Sequence, residues 1–260
     1  MFIKFDLNIK WKLKIIVNLF LTLWAISVFA SPSEPNIKVG VSCSLIADIV
    51  KNIGGKRVEI SLFPNWKDCK AMFWLGPELE PKIFESIQKL GNVPQERLLG
   101  YIPRIDENYF EYFDPLAVKS FIYRVSKVLK LLDPAGEGYY QKNLARYTTA
   151  IDGSFKDGKW SISKYKCEEI YTLSPHFSYL LRAIGLKEVR VSLEKLHSLK
   201  GIVIDDPDNP IKTNISPKII LVKLYYNLTP EIKSYLNLLK ENFILLSFAL
   251  SHLGGEKTKN

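Results

Sequence analysis

The chain is poor in the residues that hold metals tightly. It has three His and three Cys in 260 residues. Cys43, Cys69 and Cys167 are spaced for neither a zinc ribbon nor a C-x-x-C pair. Three thiols leave at least one unpaired within a single exported chain, and their spacing does not say which. Also missing are a G-x-S-x-G elbow, an H-E-x-x-H helix and a Gly-rich phosphate loop, so no catalytic motif supports a secreted α/β enzyme. The formal net charge is +9, yet the Lys and Arg residues are scattered, with no dense basic tract and no nucleic-acid motif. A basic soluble surface is the expectation, with no nucleic-acid partner. Low-complexity tracts and short repeats are absent too.

The N-terminus is built differently. Lys4, Lys10, Lys12 and Lys14 precede the apolar run IIVNLFLTLWAISVFA, which ends in Val28-Phe29-Ala30 ahead of Ser31-Pro32-Ser33. Small residues at the −3 and −1 positions predict a signal peptide over 1–30, cleaved after Ala30. The competing expectation is an uncleaved anchor, but the run is short of the roughly 20 residues that span a bilayer comfortably. No Cys follows the cleavage site, which argues against a lipid anchor there. The leader carries four Lys and one Asp, so its removal takes the charge from +9 to +6.

The remaining 230 residues read as α/β. IKVGVS alternates as a strand, SLIADIVKNIGG spaces its apolar residues as a helix, and RVEISLF alternates again, giving a parallel βαβ unit. Ala71 to Leu75 predicts a short buried strand, followed by a helix that runs to Leu90. ERLLGYI is a candidate strand. Asp114 is a good N-cap with Pro115 at the first helical position, and Asp133-Pro134 breaks that helix. A second helix is expected from Gly136 to Ile151. Strands are then expected in EEIYTLS, KEVRVS, GIVIDDP and KIILVKLYYN. Helices are expected in HFSYLLRAIG, SLEKLHSLK and the segment from Thr229 to Leu253. The fold class that follows is α/β: two lobes with parallel-type sheets flanked by helices, joined by a long backbone helix. Its divisions are an N-terminal lobe over 31–132, a linking helix over 133–164 and a C-terminal lobe over 165–260.

Several stretches carry a resemblance. They are the turn Gly76 to Glu80 after a strand, the helix start Asp114-Pro115, and the pattern LDP…YY.KN…Y from Leu132 to Tyr147. To these add Phe177-Ser178-Tyr179 leading to Gly185-Leu186, and the opening SLIADIVKNIGGKRVEISLFP. In this order, from Asn36 onward, the chain resembles the zinc- and manganese-binding proteins of ABC importers, the cluster A-I solute-binding proteins. The resemblance implies two α/β lobes bridged by a rigid helix, with a divalent metal carried as cargo between them. Zinc is the first expectation for that cargo and manganese the second. The resemblance also implies a periplasmic monomer serving an ABC permease in the inner membrane.

The ligand positions that the resemblance implies are mostly changed here. The loop after the second strand is reduced to PNWKDC, without His, and Cys69 stands near the vacated position. A second His would fall at Phe110, and a third at Ser174, two residues before His176. An acid followed by Pro is kept at Asp206, beside Asp205, while Leu224-Tyr225-Tyr226 stands where a further Asp is usual. Candidate metal ligands are therefore Cys69, His176 and Asp206. The bland alternatives are a disulfide or free thiol, a partly exposed His at a helix start, and a turn acid. If Ser174 and His176 were both helical they would lie about 200° apart, and if Pro175 instead starts the helix His176 lies in its first turn; either arrangement puts His176 off the expected site. Two versions of the function follow: a carrier with an altered site, or a scaffold that no longer takes metal and serves as an envelope interaction protein.

Overall fold

The computed structural model describes residues 36–255 apart from 106, 107, 166, 168, 207, 213 and 214. The predicted signal peptide lies outside the described residues. The N-terminal lobe contains β1 (Ile37–Val41), α1 (Ser44–Gly54), β2 (Val58–Leu62), β3 (Met72–Trp74), α2 (Pro81–Gln88) and β4 (Gln95–Arg97). Two long helices follow, α3 (Pro115–Leu132) and α4 (Glu137–Ser163). The C-terminal lobe has β5 (Glu169–Thr172), α5 (Ser178–Ile184), β6 (Lys187–Arg190), β7 (Gly201–Ile204), β8 (Ile219–Val222) and α6 (Tyr235–Gly255). The two four-stranded sheets are parallel throughout, in the orders β2-β1-β3-β4 and β6-β5-β7-β8. This is the two-lobed α/β fold expected from the alternation of strand and helix patterns.

Helices α1 and α3 follow from their sequences. In α1, Leu45, Ile46, Ile49, Val50 and Ile53 form the buried stripe. In α3, Asp114 Oδ1 accepts from the Leu116 N–H at 2.8 Å, with Pro115 at the first position. The break after α3 is held by Asp133, whose Oδ2 accepts from Arg57 Nε at 2.7 Å and from the Tyr140 hydroxyl at 2.8 Å. The Arg57 guanidinium holds the Asp133 carboxyl below the usual carboxylate range.

Helix α4 runs to Ser163, twelve residues past the expected end at Ile151. Its buried residues Tyr140, Tyr147, Ile151, Phe155 and Ile162 continue one stripe, and Gly153 and Gly158 do not interrupt it. At Gly158 an added Cβ would lie 2.4 Å from the Phe243 ring, so the glycine lets α6 approach closely. At about 1.5 Å per residue the helix is roughly 40 Å long, enough to serve both lobes. Near its start Asn143 donates to the Ile53 carbonyl of α1, and near its end the hydroxyls of Ser161 and Ser247 of α6 meet at 2.9 Å.

Other expected elements are shorter. SLEKLHSLK forms only a 3-10 run over Leu193–Ser198, and the last helix starts at Tyr235 rather than Thr229. The strand expected in ERLLGYI reduces to Gln95–Arg97.

The crossover from β2 to β3 stays on the N-terminal sheet. It runs back along β1: Phe63 N–H donates to Val41, Trp66 Nε1 to the same carbonyl at 3.2 Å, and Lys70 N–H to Lys38 at 2.8 Å. Gly40 makes room for it, since a Cβ there would sit 2.7 Å from the Trp66 ring.

Several bonds tie the lobes together. The Tyr235 hydroxyl donates to the Tyr112 carbonyl at 2.6 Å, and the Tyr112 hydroxyl donates to the Tyr226 carbonyl at 2.7 Å. The Tyr235 N–H donates to Asp48 Oδ2 at 2.9 Å, the Ile105 N–H to the Tyr179 hydroxyl at 3.1 Å, and Arg182 Nη2 to Asp114 Oδ2 at 2.8 Å.

Candidate metal centre

In an open parallel sheet, ligands bind beyond the carboxyl ends of the strands where the strand order reverses. In the C-terminal lobe that place lies between β5 and β7, which pair Thr172 with Ile204. His176 follows β5 by four residues and Asp206 follows β7 by two, so the register brings them together. His176 Nδ1 lies 3.7 Å from Asp206 Oδ1 and 2.6 Å from Ser174 Oγ. His176 Nε2 lies 2.8 Å from Asp208 Oδ2. Ligand atoms of His176, Asp206 and Asp208 all fall within 4.8 Å of one another.

The surroundings are aromatic. The Phe110 ring packs 4.2 Å from the His176 ring, and Tyr226 lies 5.9 Å away on another side. The Tyr226 hydroxyl donates to Asp208 Oδ1 at 3.2 Å. Burial, and then the neighbouring Asp208 carboxylate, push the Tyr226 phenol above its usual range, so it stays a donor. The Asp208 N–H donates to Asp206 Oδ1 at 3.0 Å, closing a turn that carries both acids. His176 is only 8 % exposed, whereas Asp208 is exposed. A cavity of about 440 Å³ opens beside Asp206, Tyr225 and Tyr226.

The sequence candidates end up in different places. His176 and Asp206 meet. Residues 173–177 form a turn ahead of α5, so Ser174 and His176 do not share a helix, nor does Pro175 start one with His176 in its first turn. Nor is His176 a partly exposed helix-start residue: it is buried and points into the acid pair. Cys69 is not brought to this cluster. It packs with Trp66, Met72, Trp74 and Ile87, just before β3. The crossover has by then returned to the amino end of the sheet, away from the carboxyl ends where ligands gather. Burial pushes the Cys69 thiol up, which disfavours the thiolate a metal needs. Cys43 is raised for the same reason. Asp205 braces the turn, its Oδ1 accepting from the Ile211 N–H at 2.8 Å.

Sequence reasoning missed Asp208 as a candidate ligand and Tyr226 as its hydrogen-bond partner. The available signal was the acid spacing in DDPDNP, where a turn returns the third acid to the strand end. Among the described residues, His176, Asp206 and Asp208 are the group of His, Cys, Asp or Glu side chains whose ligand atoms lie close enough together to hold a metal ion. One imidazole and two carboxylates suit a divalent first-row ion, with water completing the shell. The carboxylates make the set harder than the His-rich sites that favour zinc.

Residues 63–200, just over half of the chain, match the family model of ZnuA, the periplasmic zinc-uptake complex component A. The chain belongs to the ZnuA family. The manganese ABC transporter substrate-binding lipoprotein PsaA of Streptococcus anginosus is 26% identical to it, over 78% of this chain and 85% of that protein. The ZnuA-family fold recurs in solved structures. A cadmium-bound periplasmic metal-binding protein from Candidatus Liberibacter asiaticus aligns with a TM-score of 0.68 at 20% identity, over 82% of this chain and 99% of the other. The Zn(II)-bound ZnuA-like domain of Streptococcus pneumoniae AdcA aligns with a TM-score of 0.64 at 14% identity, over 83% and 99%.

Proposed function

We propose that this ZnuA-family chain is the substrate-binding protein of a metal ABC importer and that His176, Asp206 and Asp208 hold its cargo, a divalent cation. The observation that carries the site is the convergence of one imidazole and two carboxylates within 4.8 Å at the switch point of the C-terminal sheet. Membership of the family and the likeness to PsaA support the transport role. The oxygen-rich donor set favours manganese over zinc. Further parts of the same reading are an export signal over 1–30 cleaved after Ala30, and a periplasmic monomer with lobes over 31–132 and 165–260 about a linker over 133–164. The monomer delivers to an inner-membrane ABC permease and neither catalyses a reaction nor binds nucleic acid.

The test is a calorimetric titration of the untagged mature chain with Mn²⁺ and Zn²⁺. Stoichiometric binding below micromolar is expected, with Mn²⁺ preferred. His176→Ala should weaken it by at least a hundredfold, since two carboxylates alone make a poor site. No binding at millimolar metal would overturn the reading.

A second reading rests on the same network. His176 already has partners at both ring nitrogens, Ser174 and Asp208. On that reading the site is a structural knot in a scaffold that no longer takes metal. His176→Ala would then lower the Tm without any metal effect to lose.

A further inference from the structure

The three proposed donors are not equally well held. His176 is buried and Asp206 sits at the end of β7, but the Asp208 side chain is 58% exposed. Asp208 is kept over the site by two side chains, His176 Nε2 at 2.8 Å and the Tyr226 hydroxyl at 3.2 Å. A cation bound to Nε2 takes the lone pair of a neutral imidazole, and the proton that Nε2 can give Asp208 is then gone. Ser174 Oγ, 2.6 Å from Nδ1, fits the tautomer in which Nδ1 keeps its proton and Nε2 faces the ion. In that state Tyr226 is the side chain left to orient Asp208.

Tyr226 is well placed for this. The preceding residue is clamped by Asn242, which is fully buried in α6. Its Oδ1 accepts from the Tyr225 N–H and its Nδ2 donates to the Tyr225 carbonyl, both at 2.8 Å. The Tyr226 carbonyl accepts from the buried Tyr112 hydroxyl at 2.7 Å, and Tyr112 is in turn held by Tyr235. The Tyr226 ring meets the Phe110 ring edge-on at 6.1 Å. A rigid post therefore stands beside an exposed ligand.

We propose that Tyr226 is a positioning residue that fixes Asp208 in the metal-binding orientation through its hydroxyl. The proposal rests on the reading of His176, Asp206 and Asp208 as the cargo site. Tyr226→Phe keeps the ring and its packing and removes only the donor.

The experiment is a double-mutant cycle on the full mature chain, with Y226F, D208N and both together, titrated with Mn²⁺ by calorimetry. Y226F should weaken Mn²⁺ binding about tenfold when Asp208 is present, the scale of a hydrogen bond to a charged group. It should change affinity less than about twofold in the D208N background, because the two act as one unit. Co²⁺ supplies a second readout. If Y226F loosens Asp208, the Co²⁺ absorption bands shift toward those of D208N, whereas a general loss of stability lowers occupancy and leaves band positions alone. Equal weakening in both backgrounds, or unchanged affinity and bands in Y226F, overturns the role of Tyr226 while leaving the site reading intact. A wild-type chain that takes up neither Mn²⁺ nor Co²⁺ overturns both.

Discussion

Glu111 has no surface open to water, yet its carboxyl lacks a full set of partners. Oε2 accepts from the Gly100 N–H at 2.9 Å, while Oε1 has no hydrogen bond and lies 4.0 Å from Arg104 Nε, which also pairs with Glu78. Burial pushes the carboxyl up, and the backbone N–H groups of Gly100 and Tyr101 offset this only in part. A raised folded value means the folded state binds the proton more tightly than the unfolded chain. The stability this supplies is fully present below about pH 4.3, the unfolded value, and is lost as pH rises through the folded value. Glu111→Gln does not titrate, so its Tm should gain on the wild type as pH goes from 4 to 8. A difference in Tm that stays flat across that range would refute the argument. Single residues were only partly legible in the sequence. His176 stood out because His is scarce, and Asp206 because an acid ends a predicted strand. Their meeting depends on the pairing of β5 with β7, which no local pattern encodes. Cys69 was judged by its distance along the chain from an implied position. Cys69 stands three residues before β3, which places it at the amino end of a parallel sheet, and chain order alone carries that much.

At the scale of elements, the contact between α4 and α6 makes a sharp test because helix propensity and packing oppose each other. Ala is favoured over Gly inside a helix by about 1 kcal/mol. At Gly153 nothing lies within 4 Å of the added Cβ, so Gly153→Ala should stabilise by up to that amount. At Gly158 the Cβ would press on Phe243 at 2.4 Å, and overpacking typically costs 1–3 kcal/mol. Gly158→Ala should therefore be destabilising by about 1 kcal/mol net. Denaturant melts of the two variants check this, and a stabilised G158A would show that α6 can shift. The long helices were legible because apolar spacing and the Asp-Pro start both act within a few residues. The extension of α4 past Ile151 was not, since its last turns are mostly polar and are held by α6, some eighty residues later in the chain. Strand ends and the 3-10 run over Leu193–Ser198 were misjudged for the same reason: tertiary pairing, not local preference, sets their limits.

For the whole molecule, the bonds through Asp48, Tyr112, Tyr179 and Tyr235 cross between the lobes and rest on three buried tyrosines, so the halves should keep one arrangement. Small-angle scattering with and without saturating Mn²⁺ should give the same radius of gyration; a contraction on loading would mean the ties open. The alternation of elements made the two-lobed plan legible early, because parallel strands need crossovers long enough to show in the sequence. The crossover from Phe63 to Ala71 is harder to read, since it carries no helix and folds down over Gly40. With that segment spent on covering β1, the proposed donors all come from the C-terminal half. An ion seated there is a brooch pinned to one lapel, not a clasp. It adds no strut between the halves, and amide exchange on loading should slow around 172–208 and 226 while α1 and β1 to β3 stay as they were. Should the stance of the two halves hold on loading, whatever receives the cargo would sense occupancy as a local change of charge at the rim.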